Sequence, residues 1–216
     1  MNAYPSRYAV LLDGAFVIKK FEQRLRRFPH AGDVARLCSA IGEFPALSGH
    51  ELIRNYFYHA RPAAEVLVNP LSKQRLDLSA TPVFQQHTSL IDTLELEPDF
   101  AVRLGDTVAH AEWRLGSSAM KSLMRNPRTV GADDLVPGIS QKGVDLRIGL
   151  DIARLALREM VRAIVVVTGD SDLVPAFKFA RREGLRVYLE TLGHGVRREL
   201  KAHADMVLAT VLPTLE

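Results

Sequence analysis

The sequence predicts an α/β fold, a Rossmann-like and mostly parallel sheet flanked by helices, and three observations carry that expectation. Residues 8–12, Tyr8-Ala9-Val10-Leu11-Leu12, form a continuous apolar run that stops at Asp13-Gly14. A second run, Ile164-Val165-Val166-Val167, stops at Thr168-Gly169-Asp170-Ser171-Asp172. Apolar runs without polar alternation mark strands buried on both faces, as in a parallel sheet covered by helices. The third observation is the strand and helix alternation around both runs, the pattern of βαβ units.

In chain order, a helix follows the first strand, and Val34, Leu37, Cys38 and Ile41 then recur at helical spacing behind Asp33, which is suited to N-capping. Residues 53–58 read as the next strand, so the chain begins β-α-α-β. After Lys142 the alternation returns: Ile148, Ile152, Leu155, Ala156 and Met160 fall on one helical face ahead of the strand at 164–167. A helix at 173–182 stopped by Glu183-Gly184, a strand at 186–190, a short helix at 196–203 and a strand at 206–209 complete the pattern. Residues 61–141 break the rhythm with Pro62, Pro70, Pro82, Pro98, Pro127 and Pro137 and read as an insertion within a single domain spanning 1–216. Inside it, 100–104 and 107–115 flank Gly105-Asp106, which predicts a β-hairpin turning there and carrying Trp113.

With 216 residues, 47% apolar and 25% charged, the chain has a globular balance that excludes wholesale disorder, collagen-like structure and a coiled-coil rod. The single cysteine, Cys38, excludes an internal disulfide and a cysteine zinc site and points to a reducing compartment. The start, Met1-Asn2-Ala3-Tyr4-Pro5-Ser6-Arg7, lacks an apolar h-region, and no run approaches the roughly 20 apolar residues of a membrane span, so a cytoplasmic location without membrane attachment is expected. The net charge of +3 permits a polyanionic partner. Arg103, Arg114, Lys121, Arg125 and Arg128 outweigh Asp106 and Glu112 across one stretch, a basic patch whose other readings are an ordinary solvated surface or a homo-oligomer interface.

Ligands of open parallel sheets bind beyond the carboxyl ends of the strands at a topological switch point. Asp13 follows the first strand and Asp170 and Asp172 follow the strand at 164–167, so these acids are expected to converge. Asp145 heads the helix of Ile148 and Ile152, and its spacing from them predicts a sheet-facing carboxylate. Clustered carboxylates raise one another's pKa unless a cation neutralises them, and all-oxygen ligation favours Mg²⁺ or Mn²⁺. Singly, each aspartate is also a turn former or helix cap. Asp151, between Arg147 and Arg154, reads as a partner in surface ion pairs. Gly14 lacks the surroundings of a dinucleotide or P-loop motif, Ser171 lacks a nucleophile elbow, and the 7 histidines show no metal-binding spacing. His194, between Gly193 and Gly195 and followed by Arg197 and Arg198, is placed to contact phosphate.

Lys142-Gly143-Val144-Asp145, Asp151 and the segment from Val165 through Thr168-Gly169-Asp170-Ser171-Asp172 to Pro175, together with Val10-Leu11-Leu12-Asp13-Gly14, resemble the NYN domain, a branch of the PIN-like nucleases. The resemblance covers roughly 7–60 and 140–212 and extends through Gly184-Leu185-Arg186-Val187, Leu200 and Ala204-Asp205. It implies metal-dependent RNA cleavage in which Asp13, Asp145, Asp170 and Asp172 match the acidic cluster, with Asp151 matching a recurrent acid. Many members carry an asparagine just after the first Asp-Gly. Here Ala15-Phe16 follow, so the contact made by that amide is missing.

The expectation is therefore an endoribonuclease that uses Mg²⁺ or Mn²⁺, with Arg114, Lys121 and Arg125 of the insertion holding RNA and Trp113 either stacking on a base or packing in the hairpin. A weakly active or inactive RNA-binding module of the same fold is the alternative. A haloacid-dehalogenase-like phosphatase ranks lower, because Ala15 stands where that class needs a second aspartate.

Overall fold

The computed structural model describes residues 6–209. A sheet of seven strands runs through the molecule in the order β6-β5-β2-β1-β7-β8-β9. All neighbours are parallel except β5 and β6. The central strand β1 (Ser6–Asp13) is buried on both faces from Tyr8 onward, which explains its lack of alternation. The chain leaves it through α1 (Gly14–Leu25) and α2 (Ala31–Gly42) to β2 (His50–Ala60). Val34, Leu37, Cys38 and Ile41 form the buried stripe of α2 as their spacing requires. Asp33 lies inside the first turn of α2 and accepts from the backbone N–H of His30, so the residue expected at the N-cap secures the helix start from within.

Beyond β2 come the small antiparallel pair β3 (Val66–Val68) and β4 (Arg75–Asp77), and then α3 (Pro82–Leu96). The helix α3 is not among the expected elements. Thr81 caps it, Pro82 occupies its first turn, and Leu90, Ile91 and Leu94 are its buried contacts.

The hairpin expected at Gly105-Asp106 does not form. Residues 100–115 are one strand, β5 (Phe100–Leu115), which changes partner at that point. Its first part, to Gly105, pairs with β2, and its second part, from Asp106, pairs with β6 (Leu135–Lys142). Gly105 serves close packing there: a Cβ on it would lie 2.6 Å from the carbonyl oxygen of Lys142. Past Gly105, β5 pairs with β6 alone, forming a two-stranded arm connected through α4 (Ser117–Arg125), its base tied to the chain after β2 by the Thr107 hydroxyl, which donates to the carbonyl of Arg61. Trp113 lies half-buried on this arm opposite Pro137.

The strand β6 returns along the arm into α5 (Val144–Leu157), which crosses to β7 (Ala163–Val167) on the other side of β1. Then follow α6 (Val174–Arg182), β8 (Arg186–Glu190), α7 (Arg198–Ala202) and β9 (Met206–Leu208). One face of the sheet packs Leu12, Phe57, Val165 and Val167 against α1, α2 and α3; the other packs Leu11, Tyr58, Ile164 and Val166 against α5 and α6. Among the described residues no helix is long and apolar enough to cross a membrane. Residues 1–5, which carry most of the N-terminal reading, and 210–212 of the resemblance lie outside the described residues.

Candidate active site

The chain builds outward from β1 on one side and then crosses to β7 on the other, so the topological switch point falls between the carboxyl ends of β1 and β7. Asp13 closes β1 and caps α1, its Oδ1 accepting from Phe16 N at 3.1 Å. Its Oδ2 accepts from the hydroxyl of Thr168 at 3.1 Å. That hydroxyl also accepts from the Asp170 amide at 3.0 Å, which ties the end of β1 to the turn after β7. Thr168 is fully buried, and in the sequence it is only one residue of a loop motif. Asp170 caps the next turn through Oδ1, accepting from Asp172 N at 2.9 Å.

Burial raises the Asp13 carboxyl above the ordinary range; the Phe16 amide and Thr168 hydroxyl pull it back, and the charges of Asp145 and Asp170 push it up again. Partial desolvation raises Asp145 as well, followed by repulsion from Asp170 and Asp172. The four aspartates thus share one electrostatic neighbourhood. Asp145 differs from expectation in one respect: it is exposed in the first turn of α5, while Ile148 and Ile152 below it turn to the sheet. Among the described residues no three such side chains are grouped closely enough to hold an ion.

Asp151 also departs from expectation. Its partners are the Tyr58 hydroxyl at 2.9 Å and Arg103 Nε at 3.3 Å, in place of Arg147 and Arg154. On the α1 side, Lys20 Nζ lies 3.1 Å from His194 Nδ1, and Phe16 packs so tightly on Gly169 that a Cβ there would meet its ring at 2.6 Å. A cleft of about 290 Å³ opens beside them, lined by Lys20, Phe21, Gln23, Arg24, Leu192, Gly193 and His194. Arg197 reaches Ser171 Oγ at 3.4 Å, next to Asp170 and Asp172.

The basic stretch divides in the structure. Arg103 belongs to the Asp151 cluster and Arg128 is held by Asp134, whereas Arg114, Lys121 and Arg125 are exposed on β5 and α4.

Residues 114–210 match the family model of the NYN domain. NYN domains are a family of PIN-like nucleases. The NYN match contains Asp145, Asp170 and Asp172, while Asp13 comes from β1, outside the matched residues. A crystal structure of a protein of unknown function from Vibrio parahaemolyticus is similar to the chain with a TM-score of 0.52 over 96% of this chain and 94% of that one. At 16% identity that likeness is one of fold. No curated protein matches the chain.

Proposed function

We propose that the protein is a metal-dependent endoribonuclease that hydrolyses RNA phosphodiester bonds, with Asp13, Asp145, Asp170 and Asp172 holding one or two Mg²⁺ or Mn²⁺ ions. The observation that carries this reading is the placement of the acids at the switch point, where Thr168 ties Asp13 at the end of β1 to the turn of Asp170 after β7, in a chain whose residues 114–210 match a nuclease family. Burial first, and then the charges of neighbouring acids, raise Asp13 and Asp145 there. The donor set fits a hard divalent cation, being all oxygen and in excess of local positive charge. Its wide spacing suits an ion that keeps waters between itself and the carboxylates, as Mg²⁺ does. When bound, such an ion supplies Lewis-acid stabilisation of phosphoryl oxygen and a water of lowered pKa.

The chain's own residues then divide the work. The Phe16 amide and Thr168 hydroxyl fix both oxygens of Asp13, and the Asp172 amide fixes Asp170, so the carboxylates are oriented before any ligand arrives. Arg197 and the Lys20–His194 pair offer cations to phosphates leaving the acids on the α1 side. Arg114, Lys121 and Arg125 hold more distant parts of the RNA along the arm, and Trp113 offers a stacking surface there. The single buried thiol, Cys38, suits a cytoplasmic setting.

A second reading, an RNA-binding module without turnover, is favoured by Ala15-Phe16, which follow Asp13-Gly14 where many NYN members carry asparagine. Crystals soaked in Mn²⁺ test the metal site. Anomalous density between Asp13, Asp145 and Asp170 is the expected result, and a clean map at saturating Mn²⁺ would contradict the assignment.

A further inference from the structure

The acidic cluster repels any phosphate that approaches it, so a strand crossing the site needs cations on both flanks. Arg197 stands on the β8 side. On the β2 side, alternation along the strands puts Asp13, Tyr58 and Arg103 on one face of the sheet, the face that carries Leu11, Tyr56 and Ala101 against α5. They are also neighbours in register, Asp13 opposite Tyr58 and Tyr58 opposite Arg103. At about 4.8 Å per strand, Arg103 starts roughly 10 Å from Asp13 along the strand ends.

The guanidinium of Arg103 is held by its inner nitrogen and by an aromatic ring. Its Nε meets Asp151 Oδ2 at 3.3 Å, and its plane lies over Tyr56 with Cζ 5.4 Å from the ring centroid. Asp151 is itself fixed by the Tyr58 hydroxyl. Arg27 and Arg128 differ, giving both terminal nitrogens to Asp33 and to Asp134 respectively, whereas Arg181 likewise meets Asp205 through Nε, so the ring of Tyr56 is what sets Arg103 apart. Arg103 gives neither to Asp151. Among the described residues its Nη1 and Nη2 meet no hydrogen-bond partner, although the side chain is 39% exposed. A guanidinium fixed through Nε and a ring face, with its terminal fork open, has the geometry of a phosphate receptor.

We infer that Arg103 is a phosphate-binding residue for the RNA strand on the β2 flank of the acids, and that Asp151 is its positioning residue. This rests on the proposed RNA substrate. RNA binding is therefore read without turnover, by fluorescence anisotropy of a labelled single-stranded RNA in EDTA, across a KCl series.

Arg103→Gln, which keeps most of the stem over Tyr56, is expected to bind about tenfold more weakly. Its logarithmic salt slope should be shallower by about 0.7, the value for one phosphate left without its cation. Asp151→Asn should weaken binding in the wild-type background and have no effect once Arg103 is Gln. Arg103→Lys retains charge without the fork and should bind several-fold more weakly than wild type, which keeps the test open if Arg103→Gln folds poorly. Wild-type affinity and slope in both Arg103 variants would overturn the receptor, and an equal effect of Asp151→Asn in both backgrounds would overturn its positioning role. Failure of the wild-type chain to bind RNA both in EDTA and with Mg²⁺ or Mn²⁺ would remove the substrate reading and the receptor together. Binding through Arg103 without cleavage under Mg²⁺ or Mn²⁺ would support the receptor and overturn only the nuclease assignment.

Discussion

The hydroxyl of Thr168 donates to Asp13 Oδ2 at 3.1 Å while accepting from the Asp170 amide, so one buried atom links the acid that ends β1 to the turn after β7. Thr168→Val keeps the shape and removes that link. It should lower unfolding free energy by about 1–3 kcal/mol, because both hydrogen bonds of the hydroxyl disappear together. RNA cleavage should fall with it. Thr168→Ser retains the hydroxyl and should stay close to wild type in both urea unfolding and cleavage.

The raised carboxyls of Asp13 and Asp145 set a pH signature. A carboxyl whose folded pKa exceeds its unfolded value, about 4, favours the fold below that value, and the stability it gives is lost as pH rises through the folded pKa. Metal-free protein should therefore lose these two contributions as pH rises from about 4. An ion that binds the deprotonated carboxylates reverses the loss, so the increase in Tm produced by Mg²⁺ should grow with pH over the same window. Differential scanning fluorimetry with and without Mg²⁺ checks this, and the difference between the two curves cancels groups remote from the site. A Mg²⁺ effect independent of pH would contradict it.

Gly105→Ala should cost about 1–3 kcal/mol, because its Cβ would press on the Lys142 carbonyl, a backbone atom unable to swing away. Lys142 lies three residues before Asp145, so the same substitution should also reduce cleavage. Urea unfolding and initial rates measured on the same preparation test both effects.

The strands carrying the acids are legible in the sequence because a core strand covered on both faces is an unbroken apolar run, and both runs stop at aspartates. The helix α3 is not. Its buried face is only Leu90, Ile91 and Leu94, and Pro82, a residue that breaks helices elsewhere, occupies its first turn. Gly105-Asp106 misleads in the opposite sense: glycine there permits backbone approach, although the pair has the composition of a local turn. The partners of Asp151 lie 93 and 48 residues away, and Thr168 is 155 residues from Asp13, so local spacing holds no trace of either relationship. That Asp13, Asp145, Asp170 and Asp172 lie at one edge of the sheet follows from their strand-end and helix-start positions, although the exposure of Asp145 and the absence, among the described residues, of three acids close enough to share an ion do not.

The arm predicts a dependence on RNA length. Replacing Arg114, Lys121 and Arg125 together by Ala should weaken binding of long RNA and flatten its salt dependence by about 0.7 for each phosphate left without its cation. RNA too short to reach from the acids to the far end of the arm should bind as to wild type. Titrations of long and short RNAs at several KCl concentrations separate the two, and an unchanged slope with long RNA would exclude these side chains from binding.

Metal-dependent cleavage through the acids is tested most directly by single-turnover reaction of an internally labelled RNA with the wild-type chain and with Asp170→Asn. Asparagine can still accept the Asp172 amide at this cap, and removing one of several repelling charges should leave the metal-free Tm unchanged or up to about 3 °C higher. The expected result is cleavage by wild type with Mg²⁺ or Mn²⁺, none with EDTA, and none by folded Asp170→Asn with either metal. Cleavage that survives EDTA, or EDTA-sensitive cleavage retained by Asp170→Asn, would contradict it.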